Sequence, residues 1–445
     1  MSQRITRRRM LKVSAGVVAA VAGPLVVRSW AGETPPSEKL RIAVVGVAGR
    51  GGANLKGVSG ETIVALCDID EQRLAVAAKA HPQARTFTDF RKMFDAVGRD
   101  IDAAVVSTPD HTHAPAAAMA LRMGKHCYCE KPLTHSVYES RTLTDLAREH
   151  KCATQLGTQI HAGDNYRRVV ELVQSGAIGP IAEVHVWSGA RYGGQERPKE
   201  TPPVPPHIHW DLWLGPAPER PYHPCYLPGS WRSWWDFGCG ALGDFGCHYM
   251  DLPFWALDLK YPTRVEAEGP AVHPETTPLG LKVVYDFPAR GPKPPVRLTW
   301  YDGGLRPDAL LGRDGLVRPE TLQKPENPSK WGSGVLFIGT KGWLLADYGR
   351  RMLMPEKDFA DFQPPAPTIS ASIGHHEEWI HACKTGGTTT CNFDYSGPLT
   401  EAVLLGNVAY RAGEVLQWDA ASLKAAGAAR AEGFIRRTYR AGWTL

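Results

Sequence analysis

The chain has 445 residues, of which 43% are hydrophobic and 22% are charged, with 51 basic and 46 acidic side chains. This composition excludes a collagen, an intrinsically disordered chain and a coiled coil, and the length predicts two to three domains at roughly 150 residues each. A net charge of +5 would favour nucleic acid or a membrane surface as a partner if it were spread over the whole protein.

The excess of positive charge lies at the front of the chain, within Met1–Ala31. This segment contains six basic residues and no acidic one, so the other 45 basic and 46 acidic side chains nearly cancel. We therefore expect no nucleic-acid partner. The apolar run that follows the first basic residues, Val13–Val27, is too short to span a bilayer comfortably.

The same segment has the features of an export signal. The run Thr-Arg-Arg-Arg-Met-Leu-Lys at Thr6–Lys12 closely resembles the twin-arginine signal, and Ser29 and Ala31 are small residues at the −3 and −1 positions of a cleavage site. We therefore interpret residues 1–31 as a twin-arginine signal peptide and residues 32–38 as a linker. The mature protein is expected in a bacterial periplasm without a stable membrane anchor. A general secretory signal and an uncleaved anchor are the alternatives.

The nine cysteines are odd in number and scattered along the chain, which excludes a regular disulfide framework. A twin-arginine substrate folds in the reducing cytosol before export, and free thiols agree with that route.

The first structural motif is a strand, a glycine turn and a helix. Leu40–Val45 is an apolar strand that runs into Gly46–Gly52 (GVAGRGG), and a helix is expected from about Ala53. In this layout the amides at the helix N-terminus hold a pyrophosphate. A second strand, Thr62–Leu66, leads to Asp68, which can bind both ribose hydroxyls and would repel a 2′-phosphate. We therefore predict NAD as the cofactor rather than NADP, with a doubly wound domain that binds no nucleotide as the alternative.

Two further strands end in polar clusters. The strand at 103–107 is followed by Thr-Pro-Asp-His-Thr-His at 108–113 and a helix over 114–123, and the strand at 126–129 is followed by Glu-Lys-Pro at 130–132. Ligands of a parallel sheet lie beyond the carboxyl ends of its strands, so both clusters are expected at the cofactor site. The alternation of strands and helices predicts an α/β domain with a doubly wound parallel sheet over residues 39–155.

The glycine turn, the Thr-Pro-x-x-x-His run and Glu-Lys-Pro, in this order and spacing, resemble the Gfo/Idh/MocA family of glucose–fructose oxidoreductase and inositol dehydrogenase. The resemblance covers most of the mature chain. It implies a substrate-binding α+β domain over 156–445, with an open, largely antiparallel sheet and a C-terminal helical segment, and it implies a homo-oligomer. It also implies that Lys131 lies beside the nicotinamide and the reacting carbon. The residues expected at the cofactor are Gly46, Ala48, Gly49, Arg50, Gly51, Asp68, Thr108, Pro109, His113, Glu130, Lys131 and Pro132.

The segment Pro198–Pro228 carries ten prolines, which predicts irregular structure. It is either an arm that covers the cofactor or contacts a subunit, or a surface excursion, and the sequence does not choose between them. His207 and His209 could ligate a metal, but no third ligand is evident, so no metal is predicted.

Asp244 and His248 follow an aromatic run and stand four residues apart, so on a helix they share one face. In the Gfo/Idh/MocA family an Asp-x-x-x-His at the start of such a helix contacts the substrate hydroxyls, which implies that His248 is the acid/base and Asp244 its neighbour. The predicted catalytic residues are therefore Lys131, Asp244 and His248. The residues expected to contact substrate are Gln159, His161, Trp234, Asp244 and His248.

These residues predict transfer of a hydride between a tightly held nicotinamide cofactor and a secondary hydroxyl of a sugar, glycoside or cyclitol. A histidine near pH 7 can take the hydroxyl proton, and an ammonium can stabilise the developing alkoxide. Because the periplasm has little free dinucleotide, we expect the cofactor to be loaded before export and regenerated on the enzyme. The alternatives are a glycoside-cleaving enzyme that acts by transient oxidation and elimination, and a non-catalytic dinucleotide-bound sensor.

Overall fold

The computed structural model describes residues 38–311 and 330–445. The interpretation of residues 1–31 as an export signal therefore lies outside the described residues. All nine cysteines lie inside them, and none of the nine forms a disulfide.

Six strands form the first sheet, and every neighbouring pair in it is parallel. The order β3-β2-β1-β4-β5-β6 is that of a doubly wound dinucleotide-binding fold, which confirms the predicted fold class. The strands are β1 (Arg41–Val45), β2 (Thr62–Cys67), β3 (Arg85–Phe87), β4 (Ala103–Val106), β5 (His126–Cys129) and β6 (Thr154–Leu156).

Helices connect these strands and cover both faces of the sheet. They are α1 (Arg50–Gly57), α2 (Glu71–Ala80), α3 (Phe90–Val97), α4 (Asp110–Arg122) and α5 (Val137–Glu149).

Two of these helices begin three or four residues earlier than the sequence predicts. α1 begins at Arg50 because Gly49, with φ 56°, turns the chain directly into the helix. α4 begins at Asp110 because Pro109 is extended at the N-cap position, where its missing N–H costs no hydrogen bond. The polar residues 110–113 therefore form the first turn of a helix.

Nine strands form the second sheet, in the order β13-β12-β11-β7-β10-β9-β8-β14-β15. The β7–β10 pair is parallel, and the other pairs are antiparallel, so the sheet is largely antiparallel as predicted. The strands are β7 (Ile181–Trp187), β8 (Arg264–Glu268), β9 (Lys282–Phe287), β10 (Val296–Tyr301), β11 (Gly334–Gly339), β12 (Gly342–Ala346), β13 (Arg351–Met354), β14 (Leu416–Asp419) and β15 (Lys424–Ala426).

The helices of the second half join the two sheets. Nearly every residue of the twenty-residue helix α11 is buried, and it packs against both α5 and α8. Helix α10 packs on the first sheet, where Trp379 and Ile380 contact the cluster that contains Ile42 and Val44. These helices are α6 (Asp164–Gln174), α7 (Trp210–Leu214), α8 (Gly240–Tyr249), α9 (Asp251–Leu257), α10 (His375–Thr385), α11 (Phe393–Ala412) and α12 (Glu432–Ile435).

The packing of α10 and α11 has a consequence for domain organisation. Both helices come from the region assigned above to a substrate-binding domain, yet they bury residues against the nucleotide-binding sheet. Leu40–Leu445 accordingly forms one compact unit. In the part of the chain that the structure describes, no helix combines the length and the hydropathy that a membrane span requires.

Candidate active site

A cavity of about 1180 Å³ opens at the carboxyl ends of the first sheet's strands. The residues that follow four different strands line it: Gly46 after β1, Asp68 after β2, Thr108 after β4 and Lys131 after β5. This edge is where doubly wound sheets bind their ligands. The polar clusters at the strand ends therefore meet, as the sequence predicts.

The glycine turn brings the N-terminus of α1 to this cavity. Gly46 has φ 81°, and a Cβ at this position would lie 2.6 Å from the main-chain oxygen of Ser107. Gly51 packs beneath the turn, where its Cβ would lie 2.1 Å from the oxygen of Gly46, and it does not line the cavity. Only glycine fits this close approach. The residues of the turn that line the cavity are Gly46, Ala48, Gly49 and Arg50.

Asp68 is held in position to meet a ribose. Its carboxylate accepts hydrogen bonds from the amides of Val47 and Asp70, each at 3.0 Å, and burial raises its pKa. Across the cavity, Thr108 Oγ1 is buried without a hydrogen-bond partner, and Pro109 lines the wall beside it. An exposed helix N-terminus, a fixed carboxylate and an orphaned hydroxyl fit a dinucleotide.

Glu130 and Gln159 line the cavity and are joined by one hydrogen-bond network. Glu130 Oε1 accepts from Gln159 Nε2 at 2.8 Å and from Asn54 Nδ2 at 2.9 Å, and burial raises the pKa of Glu130. His376 Nε2 lies 3.0 Å from Asn54 Oδ1, so this histidine supports the network from outside the cavity. The network fixes the loop that carries Lys131.

Lys131, Asp244 and His248 line the same cavity. Helix α8 places Asp244 and His248 one turn apart on a single face, as their spacing predicts. Lys131 Nζ donates to the main-chain oxygen of Asp244 at 2.8 Å and also contacts its Oδ1. The structure thus brings the three predicted catalytic residues together.

Two residues that the sequence did not single out, Tyr192 and Arg232, also hold Asp244. Tyr192 OH donates to Oδ2 at 2.9 Å, and Arg232 Nε lies 3.0 Å from Oδ1. Burial acts to raise the pKa of Asp244, but the charges of Lys131 and Arg232 outweigh it and hold that pKa below its usual value. Lys131 and Tyr192 donate to the carboxylate of Asp244, and the charge of Arg232 lies beside its Oδ1. These contacts fix the carboxylate in the position from which it orients Lys131.

His248 is neutral near pH 7. Burial and, next, the charge of Lys131 hold its pKa well below the usual value. Its Nδ1 is buried and has no hydrogen-bond partner. The imidazole is therefore in the unprotonated form that a general base requires.

Asp110 is a further cavity residue that the sequence did not single out, although it belongs to the Thr-Pro-Asp run. It is 2% exposed and accepts from the amide of Cys239 at 3.2 Å. Burial raises the pKa of Asp110 to about 7, against the opposing charges of Arg232 and Lys131. Two carboxyl groups of the site thus differ in kind: Asp244 has a lowered pKa, and Asp110 titrates near neutrality.

Two residues expected to contact substrate, His161 and Trp234, lie outside the cavity lining. His161 is 1% exposed, its Nδ1 lies 2.9 Å from Asp251 Oδ1, and its ring stacks on Trp255 at 4.1 Å. Trp234 is 1% exposed and packs in an aromatic cluster, while Trp231 lines the cavity instead. In the structure both side chains are buried and pack against other residues of the protein.

Besides Gly51, two further residues expected at the cofactor, His113 and Pro132, lie outside the cavity lining. The ring nitrogens of His113 lie 2.7 Å from the main-chain oxygens of Thr108 and Pro132, and burial lowers the pKa of this histidine to about 4. His113 therefore connects the loops after β4 and β5. Pro132 contributes its carbonyl to this contact and does not line the cavity.

Two models of one protein family match consecutive parts of the chain. The model of the Gfo/Idh/MocA oxidoreductase family that describes an NAD-binding Rossmann fold matches residues 40–158. The model of the C-terminal alpha/beta domain of the same family matches residues 163–290.

Individual proteins show a more limited likeness. An inositol 2-dehydrogenase of Rubrobacter xylanophilus is 33% identical over 157 residues, 34% of this chain and 44% of that protein. A glycosyl hydrolase family 109 protein of Solibacter usitatus is 33% identical over 207 residues, 42% of this chain and 46% of that protein. The chain therefore spans less than half the length of either relative. The WlbA dehydrogenase of Bordetella pertussis, solved with NADH and UDP-GlcNAcA, has the same fold, with a TM-score of 0.59, 16% identity and coverage of 85% of this chain and 97% of that one.

Proposed function

Because this chain belongs to the Gfo/Idh/MocA family of oxidoreductases, we propose that it transfers a hydride between NAD and a secondary hydroxyl of a sugar, glycoside or cyclitol. One observation carries the proposal: Lys131, Asp244 and His248 line the same cavity as the glycine turn and Asp68. The likeness to an inositol 2-dehydrogenase and to a dehydrogenase that binds a nucleotide sugar supports a polyhydroxylated substrate.

The cofactor would be held by the residues that follow β1 and β2. The amides of Gly49 and Arg50 at the start of α1 would bind the pyrophosphate, and the Asp68 carboxylate would accept from the ribose hydroxyls. A negative charge there disfavours a 2′-phosphate, so NAD is preferred to NADP. When bound, the nicotinamide supplies the hydride acceptor or donor.

The chain's own residues handle the proton and the charge on oxygen. In the oxidation direction the neutral His248 accepts the proton of the substrate hydroxyl, a step typically worth about 10²–10⁴-fold in rate. Lys131 has two of its three N–H groups directed to Asp244, and the third can stabilise the developing alkoxide. In the reverse direction the same N–H polarises the carbonyl.

A second candidate is glycoside cleavage by transient oxidation, elimination and re-reduction. The likeness to a glycosyl hydrolase family 109 protein favours it. The same three residues would serve, because both routes begin with oxidation of a secondary hydroxyl. The two functions differ in their products, since only cleavage releases an aglycone and leaves the cofactor unchanged overall.

We also propose that the protein works outside the cytosol with a cofactor that stays bound through turnover. The twin-arginine-like run at Thr6–Lys12 supports export in the folded state, which allows loading in the cytosol. A bound cofactor must then be restored on the enzyme, either by a second carbonyl substrate or by a redox-neutral cycle.

The test uses the purified protein and a panel of free sugars, glycosides and inositols. Bound-cofactor absorbance is followed together with product NMR. Oxidation changes the absorbance and yields a ketone, transfer requires a second carbonyl substrate, and cleavage yields free aglycone. A protein that turned over no member of the panel and bound neither NAD nor NADH would contradict the proposal.

A further inference from the structure

The proline-rich segment crosses the cofactor cleft beside Asp68. Ile208 forms an antiparallel bridge with Asp70, the amide of Glu71 donates to the oxygen of His207 at 2.9 Å, and the amide of His209 donates to the oxygen of Ile69 at 3.0 Å. The His209 side chain adds a contact of 2.8 Å between its Nε2 and Glu71 Oε1. We call residues 207–214 the arm. The first part of the arm is thus joined to residues 69–71, which follow β2.

Residues 430–445, which we call the C-terminal tail, hold the other end of the arm. Arg440 donates from Nη1 to Asp211 Oδ1 at 2.5 Å and from Nη2 to the oxygen of the same residue at 2.9 Å. Its Nε donates to the oxygen of Gly215 at 3.1 Å. Three residues further on, Trp443 packs on Phe90 and on Arg91, both in the first turn of α3. The tail thereby links the arm back to the nucleotide-binding sheet.

The arm presents apolar side chains to the cleft. Ile208, Leu212 and Trp213 line the cavity that Asp68 and Phe90 also line. In a doubly wound sheet the acid after the second strand marks the ribose of the adenosine half. The arm therefore forms part of the cavity wall beside Asp68. Its first part is held by the contacts to residues 69–71, and its last part is held by Arg440.

We infer that the arm is part of the dinucleotide site and that its two attachments retain the cofactor between turnovers. This inference rests on the proposed function. The adenosine half cannot leave unless the contacts at 69–71 or those to Arg440 open, so these contacts set the release rate. The arm is a cofactor cover, rather than a surface excursion or a subunit contact.

Exchange of bound cofactor tests the inference. The purified full-length protein is saturated with NAD, freed of excess nucleotide and mixed with isotopically labelled NAD, and the half-time of exchange is measured. Arg440→Ala removes two side-chain hydrogen bonds to Asp211 of the arm and one to Gly215 directly after it, and we expect exchange to become about tenfold faster or more. His209→Ala weakens the opposite attachment and is expected to act in the same direction. Arg430→Ala, in the same tail but paired with Glu414 at the surface, is the matched control and should exchange like the unaltered protein.

Each outcome decides the question. Slow exchange in the unaltered protein and in Arg430→Ala, with faster exchange in either arm variant that keeps its circular dichroism spectrum, supports the inference. Equal rates in all proteins overturn it, as does a change in oligomeric state without a change in exchange rate. If labelled NAD binds to none of these proteins, the proposed function fails, whereas binding with equal exchange rates rejects only the role of the arm.

Discussion

Two N–H groups of Lys131 are directed to Asp244, one to its main-chain oxygen and one to its carboxylate. Asp244 itself is held by Arg232 and Tyr192. Asp244 is thus fixed in place, and its contacts with Lys131 orient the lysine toward the cavity that both residues line. The contacts of Lys131, Arg232 and Tyr192 with Asp244 join distant parts of the chain, so the spacing of residues in the sequence does not predict them.

Replacing Lys131 tests the catalytic assignment. In Lys131→Met the developing alkoxide loses its cationic partner, and we expect kcat to fall by at least about 10²-fold while nucleotide binding persists. Steady-state kinetics and the nucleotide content of the purified variant check this. Lys79→Met, an exposed lysine on α2, is the control and should keep full activity. Unchanged turnover in Lys131→Met would remove this residue from the mechanism.

The pH dependence of activity tests His248. Its pKa lies well below 6.5, so the neutral form that accepts a proton persists as the pH falls through 6.5. We expect the acidic limb of kcat/KM from this residue to begin well below pH 6.5. A limb near pH 7 would instead belong to Asp110, whose pKa is about 7, and Asp110→Asn should abolish it. A limb at pH 6.5 that survives in Asp110→Asn would refute the depressed pKa of His248.

Among the structural elements, the loop after β7 positions Tyr192 against Asp244. Gly193 in this loop has φ 98°, and its amide donates to Ser233 Oγ at 3.1 Å. The next amide, of Gly194, donates to the oxygen of Thr277 at 3.1 Å. The loop thereby fixes Tyr192, one of the two side-chain donors to the carboxylate of Asp244.

Gly193→Ala should displace this loop. A Cβ at Gly193 would lie 1.8 Å from the oxygen of Thr277, and the positive φ adds strain of about 1–3 kcal/mol for a residue with a side chain. We expect the free energy of unfolding to fall by about that amount and kcat to fall as Tyr192 leaves Asp244. Urea unfolding and steady-state kinetics provide the measurement. Gly433→Ala lies in α12 with no atom within 4 Å of its Cβ and should lower neither quantity, because alanine favours a helix over glycine. Equal losses in the two variants would contradict the argument.

At the scale of the whole molecule, the C-terminal tail, which follows β15 of the second sheet in the chain, contacts helices of the first sheet. Arg437 donates to Glu139 Oε1 on α5 at 2.7 Å and to the main-chain oxygen of His111 on α4 at 2.5 Å. Tyr439 OH donates to the same Glu139 oxygen at 2.5 Å. With α10 and α11 packed on the first sheet as well, we expect the unit from Leu40 onward to unfold in one transition.

Arg437→Met tests this coupling. The change leaves the buried Glu139 carboxylate without its cation, a loss of about 3–5 kcal/mol in unfolding free energy. We expect a lower urea midpoint, with fluorescence and circular dichroism still following one transition. Arg430→Met at the surface should leave the midpoint unchanged. Two separate transitions in the unaltered protein would show that the sheets unfold independently.

The sequence determined the parts of this protein that depend on local pattern. The glycine turn, the acid after the second strand and the polar clusters at strand ends are short motifs that can be recognised in the sequence. They predict a doubly wound sheet and the edge of that sheet at which a ligand binds. The four-residue spacing of Asp244 and His248 places both on one helix face. These inferences do not require knowledge of how the helices and strands pack against one another.

Tertiary structure decided which side chains reach the cavity and what encloses it. Trp231 lines the cavity, whereas Trp234 is buried in the core. The sequence cannot distinguish these two tryptophans, because the packing of the folded chain decides which of them reaches the cavity. Lys131 meets Asp244 across 113 residues of chain, and Arg440 meets Asp211 across 229. Contacts at such separations are set by the way the helices and sheets pack, so the orientation of the catalytic lysine and the closure of the arm could be found only in the folded chain.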